Sequence, residues 1–497
     1  MIKALVLKEI QESINNYRFL IALLLCVLLI PLGTFVSIKD YEQRLANYHQ
    51  SMQLYHERSQ GNIRLGFSAK GFRPPAELSF LATGLEERMP TLVNTYSSGN
   101  YWFDYENEMT SPITLLFGKL DLLFIVGCVL SILALIFTFN SVSGEKERGT
   151  LRLLISNSVM RAQLYAAKVA GNFIVFAVPF MLALLVSMII VILSSSLNMF
   201  SAYVFPPFAV FVLLSLLFIL AMINLGMLIS SLTHSSMTSM VALLLVWIVL
   251  VLVVPKASPM LAQALFPVKT SQVVNMEKEA VRSDLNKELD EQRAELLEKV
   301  ASSYGITDEN DLFAPLFENR EGINGQTMEQ AREQYNSQSQ IIEDGYEKMI
   351  SDALKKIDDA YESKKQVQAS LAANLSRVSP VSCFTYLISE LAGTGLLELK
   401  NFLDSARRYQ QYVKETIYDK YIEKRYVSKS GNIWNMASKA DDNWDPNKVS
   451  IPDLTNYQRV TATDVLSARW VDVLLLALYP LVFFYVGLTA FNRYDVR

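Results

Sequence analysis

Residues Ser141 to Ser158 read S-V-S-G-E-K-E-R-G-T-L-R-L-L-I-S-N-S. Charge is concentrated there, in Glu145, Lys146, Glu147, Arg148 and Arg152, with Arg161 and Lys168 following, and a long apolar run stands on either side. A short loop rich in Lys and Arg between two runs of membrane-spanning length marks the cytoplasmic face of a bilayer. Every other segment is oriented from it.

The 497 residues are 51% hydrophobic and only 19% charged, with a mean hydropathy of +0.23, which excludes an ordinary soluble protein. A formal net charge of -4, with the two signs interspersed, gives no reason to expect nucleic acid as a partner. Cys26 and Cys128 lie inside apolar runs and Cys383 stands alone in the longest polar region, so no disulfide framework is available outside the membrane. Cys383 reads as a small buried apolar residue.

In residues 1–18, Ile2, Leu5, Val6, Ile10, Ile14 and Tyr17 share one helical stripe, and Lys3, Lys8, Glu9, Glu12 and Asn16 the other. That pattern predicts an amphipathic helix at the cytoplasmic interface. Residues 19–38, 119–140, 169–195, 203–230, 237–255 and 471–491 are each long and apolar enough to cross a hydrocarbon layer of about 30 Å. The first is too long for a cleaved signal and is read as a retained span. Six crossings put both termini, including the tail 492–497, in the cytoplasm, and place regions 39–118 and 256–470 outside. The loop 141–168 carries the basic residues, while the short turn between spans three and four carries none, as this orientation requires. The fold class expected is an all-α polytopic membrane protein, a six-span helical bundle with a large, mostly helical extracytoplasmic insertion between spans five and six.

In region 39–118, Tyr101, Trp102, Phe103 and Tyr105 suit a packing core or interface anchor better than a ligand platform. In region 256–470, Val274, Val281, Leu285, Leu289, Leu296 and Val300 recur at helical steps. A second, near-heptad pattern runs through Met328, Ala331, Tyr335, Ile342, Met349, Ala353, Ala360, Leu371, Leu375 and Val378. The second helix would be roughly 75 Å long, and the two should form an antiparallel hairpin.

Chemistry is sparse. No G-x-x-x-x-G-K-[ST] phosphate loop is present, and G-N-I-R-L-G-F-S-A-K-G from Gly61 lacks the required Lys and hydroxyl. His49, His56 and His234, with no H-E-x-x-H or C-x-x-C, supply no zinc ligand set. Asp121 and Asp472, beside Lys119 and Arg469 at the edges of spans two and six, read as helix caps and snorkelling pairs. Asn140, Asn172 and Asn224 read as interhelical hydrogen bonders. In the opening stretch Gly144 is expected to end span two, and Glu145 and Glu147 to start a short helix. Leu151, Leu153, Leu154 and Ile155 would give that helix an apolar docking face. Asn157 or Ser158 would cap the next helix, with Arg161 and Lys168 near the phosphate level.

The string G-E-K-E-R-G-T-L-R-L-L-I-S-N-S-V-M-R-A-Q-L-Y-A-A-K-V-A-G resembles the loop after the second span in permeases of the ABC-2 type. The match covers Gly144, Glu145, Lys146, Glu147, Gly149, Thr150, Leu151, Leu154, Arg161, Lys168 and Gly171, and departs at Ser158, where that family commonly has Pro. The L-A-G-T-G segment and the helix carrying Phe402, Arg407, Arg408 and Tyr409 resemble a subgroup with large extracytoplasmic loops. The resemblance implies a non-catalytic permease subunit of an ABC exporter, multi-pass in the cytoplasmic (inner) membrane. It implies coupling to a separate ATPase at Gly144, Glu145, Lys146, Glu147, Arg148, Gly149, Thr150, Leu151, Leu154 and Arg161. Two ATPase copies would carry ATP and Mg, this chain holding no cofactor of its own, and a second permease, identical or paralogous, would complete the pair. An alternative stays open: a mechanotransmitting or scaffolding protein that acts on an envelope partner through the hairpin and moves no substrate. As a transporter, its cargo is equally open among lipid, peptide, ion and drug.

Overall fold

In the computed structural model, the helix that starts in the first apolar run outlasts it. α1 (Ile2–Ile14) is followed by α2 (Tyr17–Ser59), which continues some twenty residues past the apolar stretch into the region expected to be a separate excursion. The reason is local: beyond Ile38 no Gly or Pro intervenes, and Arg44 pairs with Asp40 one turn back at 3.0 Å, support of the kind that stabilises solvated helices. The structure describes residues 2–15, 17–59, 69–95, 101–104, 119–156, 160–194, 197–201, 203–306, 325–415, 454, 457 and 459–494.

Among these, six helices are long and apolar enough to cross a membrane: Phe19–Glu57, Leu122–Glu147, Arg161–Leu193, Phe205–Leu232, Ser236–Leu265 and Trp470–Asn492. The second comprises Leu122–Phe124, a π-helical stretch Ile125–Leu130, α3 (Ser131–Thr138) and α4 (Ser143–Glu147), with α5 (Thr150–Ser156) after it. The later spans are α6 (Arg161–Leu193), α7 (Phe205–Leu232), α8 (Ser236–Trp247) running through a π-helical stretch Ile248–Val253 into α9 (Val254–Leu265), and, at the end of the chain, α15 (Trp470–Asn492). The second and fourth spans are the most enclosed. Thr138 and Ser231 fit there because each hydroxyl donates to a carbonyl one turn back, Ala134 at 2.9 Å and Met227 at 2.8 Å. Asn224 Nδ2 donates to the Pro480 carbonyl at 3.1 Å and Asn172 Nδ2 to Ser141 Oγ at 3.2 Å, which is the interhelical use expected of them.

Each π stretch sits beside a side chain that serves its irregular backbone. Ser131 Oγ lies 2.7 Å from the Gly127 carbonyl and accepts from Trp247 Nε1 at 2.9 Å, and Ser379 Oγ donates to the Leu250 carbonyl at 2.5 Å. Irregular helix at membrane depth is tolerated only where such partners stand.

Away from the loop 141–168, a small sheet breaks the otherwise helical plan: β1 (Ala69–Phe72), β2 (Leu92–Thr95) and β3 (Tyr101–Asp104) in antiparallel order, with Ala69 opposite Thr95 and Leu92 opposite Asp104. Phe103 packs against Phe402 at 6.0 Å, a packing role. The side chains of Tyr101 and Trp102, and Tyr105 altogether, lie outside the described residues. α12 (Pro380–Leu391) and α13 (Leu396–Val413) follow, then α14 (Ala462–Ala468). α12 buries Val381, Cys383, Phe384, Leu387 and Ile388, and Phe384 stacks on Phe218 of α7 at 4.7 Å. Gly393, φ +70°, turns the chain in L-A-G-T-G, and Thr394 Oγ1 donates to the Ala82 carbonyl at 3.0 Å.

The edge charges pair differently from their sequence neighbours. Asp121 is an N-cap, accepting from the amides of Phe124 and Thr83, both at 2.8 Å. Lys119 bonds Asp40 at 2.7 Å, Arg469 bonds Glu390 at 2.5 Å, and fully buried Asp472 takes two bonds from Arg377, at 2.7 and 2.9 Å.

The chain divides into two compact units, one made of Met1–Pro255 with Ser376–Arg497, the other of Lys256–Leu375. The second holds α10 (Ser271–Ser303) and most of α11 (Gly325–Ser376). Lys278 pairs with Asp358, Arg293 with Glu343, and Tyr304 Oη with Gln334 at 2.8 Å. Positions rise on one helix as they fall on the other, so the two are antiparallel. Leu296, Val300, Ala301, Ile306 and Ala331 form the core near the turn. Met349 and Val378, expected on the heptad seam, are exposed.

Candidate functional site

The stretch Ser141–Ser156 folds back against the bundle. Backbone N–H groups of Val142 and Ser143 donate to Ser230 Oγ at 3.1 and 3.0 Å, fixing the start of α4 to the end of α7. Gly144 does not end the second span. It lies inside α4 against Asn140 and Ser236, and the turn falls at Gly149, whose φ of +73° is the left-handed conformation that glycine adopts without strain.

The expected coupling residues divide by direction. Gly144, Glu145 and Leu151 are buried, Lys146 and Leu154 are half-buried, and Glu147, Arg148, Gly149 and Thr150 are exposed. The apolar face foreseen for the short helix is therefore mostly turned inward: Leu151 and Leu154 belong to the main core, while Leu153 is 70% exposed. The side chain of Ile155 lies outside the described residues. The outward surface is a polar rim of Glu147, Arg148, Thr150 and Arg152 around Leu153.

Each charged side chain of α4 reaches a different span. Lys146 Nζ donates to the carbonyls of Ser231 and, at 3.1 Å, Thr233, the last turn of α7, and stands 5.0 Å from the Tyr494 ring. A cation there matches the negative end of the helix dipole. The Glu147 carboxylate accepts the Ser236 amide at 2.9 Å, the first turn of α8, the opposite dipole end. Glu145 Oε1 accepts from Lys168 Nζ of α6 at 2.7 Å. Arg161, at the start of α6, donates to the carbonyls of Asn492 and Tyr494 at 2.7 and 3.1 Å, closing the end of α15. Three later spans thus meet around one five-residue helix.

Two expectations change here. Lys168, expected as an interfacial cation, is 1% exposed, enclosed between the carboxylates of Glu9 and Glu145. The N-cap of α6 is Met160, without a side-chain cap, and Asn157 and Ser158 lie outside the described residues. Sequence reading also missed Glu9, Ser230, Ser231 and Ser236. Glu9 was assigned to the solvated stripe of α1, whereas it packs inward and Ile14 and Tyr17 are exposed. The proximity of Glu9 on α1 to the one Lys of α6 has no periodic signal.

The family described as ABC-2 family transporter protein matches residues 3–496. No curated protein matches the chain. With that match spanning nearly the whole sequence and six membrane-length helices, the chain belongs to the ABC-2 family of transporter proteins and is a multi-pass membrane permease subunit of an ABC transporter, a family whose ATPase is a separate subunit.

Proposed function

We propose that the chain couples ATP hydrolysis by two partner ATPase subunits, which hold ATP and Mg, to export across the cytoplasmic (inner) membrane, as one half of a permease pair, with both termini and the Gly149 turn in the cytoplasm. One observation carries this reading: α4 is bonded to the end of α7, the start of α8 and the body of α6 while its far end is exposed. A push on Glu147, Arg148, Gly149, Thr150 or Leu153 is therefore delivered to three spans at once. A packed, hydrogen-bonded assembly transmits displacement rather than absorbing it. The distribution of Lys and Arg in the short loops supports the orientation.

The test is reconstitution with the cognate ATPase. Vesicles holding the permease alone should hydrolyse no ATP, and the assembled complex should do so with substrate stimulation. Replacing residues 147–153 by a short Gly-Ser turn should abolish ATPase binding. Binding and stimulation that survive this replacement would overturn the reading.

A second reading is favoured by α11, whose 52 residues extend to roughly 78 Å at 1.5 Å per residue, more than a small-molecule path needs. In it the hairpin acts on an envelope partner. Deleting residues 322–325, which lie between α10 and the body of α11 in the sequence, separates the two: intact flux with a lost cellular phenotype favours the mechanical role.

A further inference from the structure

We infer that α1 is keyed to the coupling segment by Lys168, so that α1, α4, the first turns of α6 and α5, whose Thr150 Oγ1 donates to the Glu145 carbonyl at 3.4 Å, move as one rigid input unit, with Glu9, Lys168 and Gly171 as positioning residues. The consequence for coupling rests on the reading above; the keying itself does not.

Lys168 Nζ bonds Glu145 Oε1 of α4 at 2.7 Å and Glu9 Oε1 of α1 at 2.9 Å. Two elements distant in sequence thus share one ammonium carried by a third. Among the described residues no other side chain of α1 makes a hydrogen bond or ion pair to the bundle. A second contact is one of shape: Gly171, one turn along α6, lies where an added Cβ would come within 2.7 Å of Glu9 Cβ and 3.7 Å of the Val6 carbonyl. The lack of a side chain there lets the α1 backbone approach closely enough for Glu9 to reach Lys168.

Simple adhesion does not require this arrangement. Leu5 and Ile10 already pack α1 on the core, and a buried ion pair gives no more stability than apolar residues of similar volume. What a charge triad adds is register. Sliding α1 by one turn, or rotating α4, strands a carboxylate in an apolar interior, which is strongly unfavourable. Glu145 Oε2 has no other hydrogen-bond partner, so Lys168 is the group that holds Glu145 in place.

The experiment labels the full-length chain in nanodiscs with spin labels at Gln11 and Leu153, its three native cysteines replaced by Ala, and measures the distance distribution between them. We expect a single narrow distribution, retained in Lys168→Arg. It should broaden in Glu9→Gln and in the triple variant Glu9→Gln, Glu145→Gln, Lys168→Met, which removes the charges together and leaves no buried charge to unfold the chain. In the complex Glu9→Gln should bind ATPase with unchanged affinity but show substrate-stimulated hydrolysis reduced about five-fold or more. A distribution unchanged in the triple variant overturns the proposal. Failure of the wild-type chain to bind ATPase would instead overturn the coupling reading, while the distance measurement still decides the keying.

Discussion

The carboxylate of Glu147 accepts the backbone N–H of Ser236 at 2.9 Å across 89 positions of sequence, so the exposed end of α4 serves as a cap for the helix that begins the fifth span. Reversing the charges with Glu147→Lys and Arg148→Glu removes that cap and places a cation at the positive end of the α8 dipole. Stimulated hydrolysis in the reconstituted complex should fall about five-fold or more, with thermal stability of the permease little changed. Glu147→Gln, whose amide oxygen accepts the same hydrogen bond, should retain more coupling than the reversal does.

Gly226 on α7 faces Thr138 on α3 so closely that an added Cβ would overlap Thr138 Oγ1 and lie 2.9 Å from its Cβ. Gly226→Ala should lower the stability of the purified chain by about 1–3 kcal/mol, the usual cost of overpacking. Adding Thr138→Ala should recover part of the loss. Thermal unfolding of the two variants checks this: equal losses would show that the close approach is not what excludes a side chain at position 226.

Asp472 is fully buried and receives both bonds from Arg377. Arg377→Met strands the carboxylate and should cost about 3–5 kcal/mol, whereas Arg377→Met with Asp472→Leu should be near neutral. Comparison of melting temperatures reads the difference directly. The double variant would also loosen the tie between the segment before α12 and the start of α15, so its transport rate is worth measuring beside its stability.

Burial raises the carboxyl of Glu398 above the ordinary carboxylate value of 4.5, against the lowering influence of the Tyr457 hydroxyl, the Val460 amide and the guanidinium groups of Arg459 and Arg73. A raised folded-state value means that the folded chain holds the proton more tightly than the unfolded one. The stabilising contribution is thus present in full below pH 4.5 and is lost as pH rises through the folded value. Glu398→Gln should flatten that decline. Melting temperatures of both proteins from pH 4 upward test this: parallel curves would assign the decline to other groups.

Much of the site was visible in one dimension because its signals are local. The clustered charges of Ser141–Ser158 and the charge-free turn between spans three and four set the orientation expected for the chain. Helical steps in one stretch and near-heptad spacing in the next gave two long helices where α10 and α11 stand. Leu151, by contrast, looked like part of an exposed face and is fully buried, because helical periodicity says which residues share a face but not what that face meets. Lys168 looked interfacial for the same reason: its carboxylates come from positions 9 and 145, and no spacing rule links those to 168. The strand at Tyr101–Asp104 was not legible although its aromatic residues favour strands, because four residues carry too short a pattern and the pairing with β2 joins separate segments.

What the sequence determined by itself is the number of membrane helices, the helical hairpin and the family, since transfer of apolar runs from water to lipid is a property of each run and depends little on its neighbours. Only the tertiary structure decided which of the clustered charges face outward and which are locked inside. That outcome depends on the distance between groups far apart in the chain, and a charge is stable in the interior only where a partner of opposite sign arrives at hydrogen-bonding range. Lys168 was therefore legible as a basic residue near a membrane edge, and became the key between α1 and α4 only once the helices were packed.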